Sequence, residues 1–379
     1  MLSSDELVAG AIEATGLSDL GDAGYQAGLD ALTGSIESDA QVNEIGIPTA
    51  DALITSALST RLQVIDWLST HPEAAEEQIV EPVFIVGVSR SGTTALSHLL
   101  SVDPATRSPR QWETSAPVPP PESATYETDE RYLAAIEADE NSIMHALNPA
   151  FKAMHYDPPN MPTECVTIMA QHMVSLQFNA MFHLPGYADF LLDVDHVETY
   201  QYHRRVLQLL QSQHPGQWVV KTPHHALTVE AIAEVYPDAR FIWTHRDPAT
   251  CIASTTSISC GLGSTFTDAD HRLAGGEVWK RLIDEMLDRT AAARSRLEDR
   301  FIDVDYRDLV ADPLAVAGRV YDELGRTLSP AAEARMATHV GEHVQHRWGR
   351  HTYTFDDFGL DPNALNERHA GYRAAYGID

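Results

Sequence analysis

The stretch that most restricts how this chain can fold runs from Pro82 to Asp103, PVFIVGVSRSGTTALSHLLSVD. Val83 to Val86 is wholly apolar and rich in β-branched residues, the pattern of a central parallel strand buried on both faces. Gly87 to Gly92 is a tight turn of small residues, and from Thr93 the spacing of Leu96, Leu99 and Leu100 predicts a helix with one apolar side. Strand, glycine-bounded loop and helix start together make an anion site, because the loop N–H groups and the positive end of the helix dipole point at one spot. The segment is expected to bind a phosphate, within an α/β fold whose central parallel sheet carries helices on both faces.

The loop invites comparison with G-x-x-x-x-G-K-[ST], the nucleoside triphosphate loop. Gly87 and Gly92 have its separation and Thr94 stands where the metal-binding hydroxyl belongs, but Thr93 replaces the lysine and the loop's cation is Arg90. Without a lysine for the β- and γ-phosphates, triphosphate chemistry loses a main charge-neutralising cation. A donor whose leaving group is a 5′-phosphate fits better. A kinase-like phosphotransferase, and a non-catalytic nucleotide-binding protein on the same scaffold, remain the alternatives.

Charge sharpens this reading. With 55 acidic against 26 basic residues the formal net charge is −29, which disfavours nucleic acid or an anionic membrane as a partner. An anionic nucleotide must then be held by a few local cations against a repulsive field, so each cation near the loop carries more information than usual. The three cysteines, Cys165, Cys251 and Cys260, show neither metal-ligand nor redox spacing and suit reduced thiols. The first residues lack a basic-then-apolar leader, and no apolar run reaches spanning length; a cytoplasmic location without membrane insertion is the expectation.

Residues 3 to 78 read as helical, with Leu53, Leu58, Leu62, Ile65 and Leu68 on one face of a helix over Ala50 to His71. Past the loop, Trp112-Glu113 precedes a proline-rich extended run, Pro117 to Glu122, expected at the surface. Glu113 falls where a parallel sheet places its ligand crevice, although the residue type alone suggests a solvated carboxylate. Thr128 to Asn148 reads as a helix. Thr163-Glu164 reads as the cap of a long helix through His183, whose Met169, Met173, Phe178, Met181 and Phe182 suit a core or an adaptable apolar pocket.

A second informative stretch runs from Trp218 to Ser257. Strands over Trp218 to Val220 and Arg240 to Thr244, joined through a helix over Leu227 to Tyr236, imply parallel neighbours. Both strands end in cations: Lys221 with His224 and His225, then His245 with Arg246. Asp247-Pro248 starts a helix on which Ser254 can offer a hydroxyl to the same anion. Cations at these strand ends, in so acidic a chain, point to one shared anionic ligand.

These motifs, in this order, resemble the sulfotransferases that use 3′-phosphoadenosine 5′-phosphosulfate, and most closely their bacterial members. Val86-Gly-Val-Ser-Arg-Ser-Gly-Thr-Thr is similar to the family's 5′-phosphosulfate loop, with Ser89 where proline is usual. The resemblance implies that Arg90, Ser91, Gly92, Thr93 and Thr94 bind the donor's phosphosulfate end, Arg246 and Ser254 its 3′-phosphate, and Tyr306 the nucleotide. Val219-Val-Lys-Thr-Pro resembles the strand whose lysine, here Lys221, sits at the transferring sulfonate. Gly349-Arg-His-Thr-Tyr resembles the bacterial closing loop, which would bring in Arg350 and His351. It further implies a P-loop-like fold, no metal and a small, apolar acceptor; whether like chains assemble stays open. The general base is Glu113 or His224: Thr222-Pro223 separates His224 from the lysine, and the bacterial pattern favours Glu113. The expected layout is an N-terminal helical segment (1–78), an α/β core (79–325) and a C-terminal closing segment (326–379) in one structural domain.

Overall fold

The computed structural model describes residues 2–140, 158–342 and 352–378. Arg350, His351 and the far end of the Thr128–Asn148 expectation lie outside them; its described part is a helix over Glu130–Glu140.

Five parallel strands form the sheet: β1 (Val83–Val86), β2 (Thr106–Arg107), β3 (Gln217–Lys221), β4 (Arg240–His245) and β5 (Phe301–Asp305), in the order β2-β3-β1-β4-β5. β1 is central, with Ile85 paired to Lys221 of β3 on one side and to Ile242 of β4 on the other. The period-two alternation of a strand explains why its residues are apolar without exception. Val83 and Ile85 enter one buried cluster with Leu96, Leu99, Val219 and Ile242, while Phe84 and Val86 enter the other with Trp218, Phe241 and Trp243. Each such side chain stabilises by about 1.5–3 kcal/mol when fully buried. The α/β expectation holds: helices cover both faces, and the sheet is parallel throughout.

The N-terminal segment is helical as read, over Ser4–Thr15, Gly24–Ser38, Gly46–Thr70 and Pro72–Ala75. Its Leu7, Leu29, Leu58 and Leu62 join the cluster containing Phe84 and Trp243, so this layer is continuous with the core of the sheet. Arg61, fully buried, ties the layer together by donating to Leu20 O, Asp22 and His172 Nδ1.

The long helix expected from Thr163 to His183 is instead two short ones, Val166–Ala170 and Leu176–Met181. Met173 adopts a left-handed φ of 57°, Tyr187 donates its hydroxyl to the Met173 carbonyl, and Ser175 caps the second helix at Gln177. The apolar stripe of the sequence is continuous because both pieces face the same core; the backbone is not. The proline run is also less exposed than expected, since Pro117, Pro120 and Pro121 are buried.

Candidate active site

The loop from Gly87 to Gly92 joins β1 to the helix Thr93–Ser101. Gly87 has no room for a side chain: a Cβ there would lie 2.2 Å from Thr244 Oγ1. Gly92 takes φ +96°, a conformation reserved for glycine, and a Cβ there would press on Tyr306 at 3.0 Å. Ser91, expected to bind the donor, holds the loop instead. Its hydroxyl donates to Val88 O at 2.6 Å and meets Thr244 Oγ1 at 2.6 Å, and its N–H donates to Val88 O. Thr93 is buried and turns its methyl toward Gly87. No side chain caps the Thr93–Ser101 helix, so its first amides face the loop mouth as an anion site.

Two arginines meet at this mouth. Arg90 takes a left-handed φ of 72°, costly for a residue with a Cβ and found where surrounding structure enforces it. Here Arg246 enforces it, donating from Nη1 to the Arg90 carbonyl at 2.7 Å while stacking on the Tyr306 ring at 4.1 Å. Desolvation, then the Arg246 charge, lowers the Arg90 guanidinium from its ordinary value, yet it stays cationic. Among the described residues no carboxylate pairs with either arginine. In a chain of net charge −29 two adjacent guanidiniums without acids call for an anion. Cys251, on the helix Pro248–Gly263, lies in the field of both arginines, and Ser254 follows it by one turn on the same face. Asp247 caps that helix through Thr250 and is anchored by Arg373 at 2.6 Å.

Lys221 closes the opposite side. Its ammonium donates to Thr94 Oγ1 at 3.1 Å and to Glu164 Oε1 at 2.7 Å. The Cys165 N–H donates to the Lys221 carbonyl at 3.0 Å, which sets Glu164 beside the strand end, and Thr222 Oγ1 approaches Glu164 Oε2 at 3.5 Å. The Lys221 side chain is fully buried, whereas that of Glu164 keeps 18% exposure while accepting from the lysine.

Neither expected base stands there. Glu113 is fully buried, with Oε2 accepting from Arg107 Nη2 at 2.8 Å and Oε1 accepting from the Arg110 N–H at 2.9 Å. That Arg107 is in turn stacked on Trp218 at 4.8 Å, so Glu113 completes an internal ion pair. His224 is equally buried. Its Nδ1 accepts the Leu176 N–H at 3.3 Å, its Nε2 faces His196 Nδ1 at 3.4 Å, and burial followed by the neighbouring His196 holds it far below the usual imidazole range. His225 and His245 are not crevice cations either. Burial lowers both; His225 Nδ1 bonds Tyr200 Oη at 2.7 Å, and His245 is held between Tyr372 Oη at 2.8 Å and Asp303 at 2.9 Å. Of the strand-end cations, Lys221 reaches Thr94 at the start of the loop's helix and Arg246 reaches the carbonyl of the loop's own Arg90.

Asp22, His172 and Glu198 bring ligand atoms within 4.8 Å of one another in the helical layer. Arg61 donates to both Asp22 Oδ1 and His172 Nδ1, so a cation already occupies their charge. A hollow of about 730 Å³ beside β2, walled by Arg110, His214 and Arg335 among others, includes none of Arg90, Lys221 or Arg246.

Residues 82–330 match the model of the sulfotransferase family. The solved structure of sulfotransferase STF9 from Mycobacterium avium superimposes with a TM-score of 0.93 at 30% identity, covering 100% of this chain and 98% of that one. Sulfotransferase STF1 from Mycobacterium tuberculosis H37Rv gives 0.87 at 31% identity, over 98% and 99% of the two chains. The omega-hydroxy-beta-dihydromenaquinone-9 sulfotransferase Stf3 of Mycobacterium bovis is 24% identical over 315 residues, 78% of this chain and 75% of its own length.

Proposed function

The chain belongs to the sulfotransferase family, and from that premise we propose that it moves a sulfonate from 3′-phosphoadenosine 5′-phosphosulfate to a hydroxyl of a small, apolar acceptor. The observation that carries this reading is the meeting, at one loop, of the Lys221–Glu164 pair and two arginines that have no carboxylate partner among the described residues.

The donor set fits such a nucleotide. The amides after Gly92, with Arg90 and Thr94, would hold the 5′-phosphosulfate end; Thr93 contributes its amide. Arg246 and Ser254 would take the 3′-phosphate, which separates this donor from ATP, and Tyr306 would bound the nucleotide. Arg350 and His351 keep this assignment on sequence grounds alone. Residues 79–325 then form the catalytic core, with 1–78 packed upon it and 326–379 closing it.

Glu164 is the general base. It accepts the acceptor's hydroxyl proton as the oxygen attacks sulfur, while the bond from sulfur to the 5′-phosphate's bridging oxygen breaks in line. The products are a sulfate ester and adenosine 3′,5′-bisphosphate. Charge grows on the bridging oxygen, where Lys221 and Arg90 neutralise it; one well-placed donor of this kind is worth about 3–4 kcal/mol. The base adds roughly 10²–10⁴-fold. Stf3 is named for a menaquinone-type alcohol, which supports an apolar acceptor here.

The test is a melting scan beside a transfer assay. Adenosine 3′,5′-bisphosphate at 100-fold over its dissociation constant should stabilise by about 2.7 kcal/mol, far more than ATP with magnesium, and labelled donor should yield a sulfated alcohol without added metal. Equal stabilisation by ATP, or transfer of phosphate, would return the kinase reading.

A further inference from the structure

Two residues given to the nucleotide touch each other: Arg246 stacks on the Tyr306 ring at 4.1 Å, and that ring lies against Gly92 of the loop. Arg246 directly follows β4 and Tyr306 directly follows β5, strands whose last residues, His245 and Asp305, are paired in the sheet. The stack therefore depends on two strand ends kept in one relation. Two short helices far along the chain, Pro362–Arg368 and Ala370–Ala375, bear on both ends.

This segment grips both flanks of Arg246 and one flank of Tyr306. On the near side of Arg246, the Tyr376 ring stacks on buried His245 with centres 3.8 Å apart at 16°, and Tyr372 Oη meets its Nδ1 at 2.8 Å. Asp303 accepts from the other ring nitrogen at 2.9 Å, and burial lowers the imidazole from its ordinary value, so neutral His245 accepts from Tyr372. On the far side, Asp247 accepts from Arg373 Nη1 at 2.6 Å, and the same nitrogen donates to Asn366 Oδ1 at 2.6 Å. Beside Tyr306, Arg307 donates to the Gly377 carbonyl at 2.7 Å while pairing with Asp305 at the end of β5. Tyr372 and Tyr376 also pack on Trp243 of β4, with ring centres at 5.9 and 5.2 Å.

We propose that residues 369–377 are a clasp for the 3′-phosphate end of the donor. By holding His245 and Asp247 around Arg246, and Arg307 beside Tyr306, they set the stack of the two and with it the preference for a nucleotide bearing a 3′-phosphate. Tyr372, Arg373 and Tyr376 are thus positioning residues that act through Arg246 and Tyr306. The inference rests on the sulfotransferase reading for its ligand. Linkage makes it reciprocal: a ligand that fastens Arg246 also fastens the clasp.

The probes are adenosine 3′,5′-bisphosphate and adenosine 5′-phosphate, titrated calorimetrically on the whole protein. Tyr376→Leu removes the ring stacked on His245 without altering charge. It should weaken the bisphosphate about tenfold and the monophosphate less than about twofold, a coupling of ordinary size between linked sites. Arg373→Leu should do the same, Arg373→Lys should recover most of the loss, and the donor KM should rise while kcat is kept. In the Arg246→Ala protein, Tyr376→Leu should weaken the bisphosphate by less than about twofold more, since the group it positions is gone. In the wild-type protein, saturating bisphosphate should slow amide exchange over 369–377 about threefold or more, and the monophosphate should not.

Equal loss with both nucleotides, an effect that adds in full to Arg246→Ala, or unchanged exchange overturns the proposal. So does a loss with Arg373→Leu but none with Tyr376→Leu, which would reduce Arg373 to a nearby charge. Should a variant fail to fold, the wild-type exchange measurement decides. A wild-type protein that binds both nucleotides alike sinks the 3′-phosphate assignment alone. The clasp is then decided in ligand-free Tyr376→Leu at the amides of Thr250 and Cys251, which bond Asp247. Faster exchange there upholds it, and wild-type exchange ends it.

Discussion

A carboxylate touching a lysine is ordinarily a salt bridge and nothing more, but Glu164 differs from Glu113 in what surrounds it. Glu113 has both oxygens taken inside the protein, whereas Glu164 keeps part of its side chain exposed to solvent. Glu164→Gln should lower turnover by about 10²-fold or more with nearly unchanged bisphosphate affinity, since shape is kept and the proposed base is lost. Glu113→Gln should act differently: leaving Arg107 buried and unpaired costs about 3–5 kcal/mol of stability, read as a lowered urea midpoint with turnover retained per folded molecule. The reverse pattern would restore Glu113 as the base. Arg246 carries two duties, charge at the cleft and support of the Arg90 carbonyl. Arg246→Ala should therefore weaken the bisphosphate by about 1.5–3 kcal/mol and also weaken adenosine 5′-phosphate by a smaller amount through the loosened Arg90. No loss with either nucleotide would remove Arg246 from the site. The residues whose place beside the loop was legible are those set by local pattern: Arg90 in a glycine loop, Lys221 and Arg246 at strand ends. Glu164 carries no such mark. It reads as a helix cap, and only the bond from Cys165 N–H to the distant Lys221 carbonyl brings it to the lysine. The histidines misled for a related reason, since a written His does not say whether it will be buried and neutral.

Elements were legible where periodicity and capping agree. β1, β3 and β4 fall within a residue or so of their apolar runs, and the helix after Asp247 starts at Pro248 as that pair demands. The expectation failed between Thr163 and His183 because hydrophobic spacing reports which face is buried, not whether the backbone between buried residues is continuous. Met173 breaks the helix through a tertiary bond from Tyr187 that no local rule contains. The cap at Asp247 also links an element to the site. Its Oδ2 accepts from Thr250 N–H and Oγ1, and its Oδ1 from Arg373. Asp247→Ala should cost about 0.5–2 kcal/mol of stability, seen as a lower melting temperature. It should also weaken the bisphosphate measurably, because the helix it starts presents Ser254. A stability loss with unaltered affinity would show that this helix does not position the ligand.

At the scale of the whole molecule, burial of imidazoles sets a pH limit. His172 and His203 are pushed down to about 3, His196 to about 4, and His224 and His225 fall well below their ordinary value, burial being the first cause in each. The unfolded chain takes up these protons near pH 6.5 and the folded protein does not, so the stability they leave intact above that pH is lost as pH falls through it. Each such group removes up to about 1.4 kcal/mol per pH unit. Urea midpoints should fall steeply from pH 7 to pH 5, against the relief of acidic self-repulsion that −29 charges would bring on protonation; a flat or rising midpoint would show the imidazoles to be hydrated. The sheet order has a further consequence, one of timing. Val83 of β1 pairs only with Val219 and Arg240, residues far along the chain. During synthesis the loop after β1 therefore emerges early but has no neighbour to hold its strand until β3 has left the ribosome, and lacks its second until β4 follows. Pairings of such long range fold slowly and leave apolar strands uncovered meanwhile. The first part of the site to be made is the last to take shape, and a nascent chain halted before β4 should be unable to retain the bisphosphate, however complete its loop.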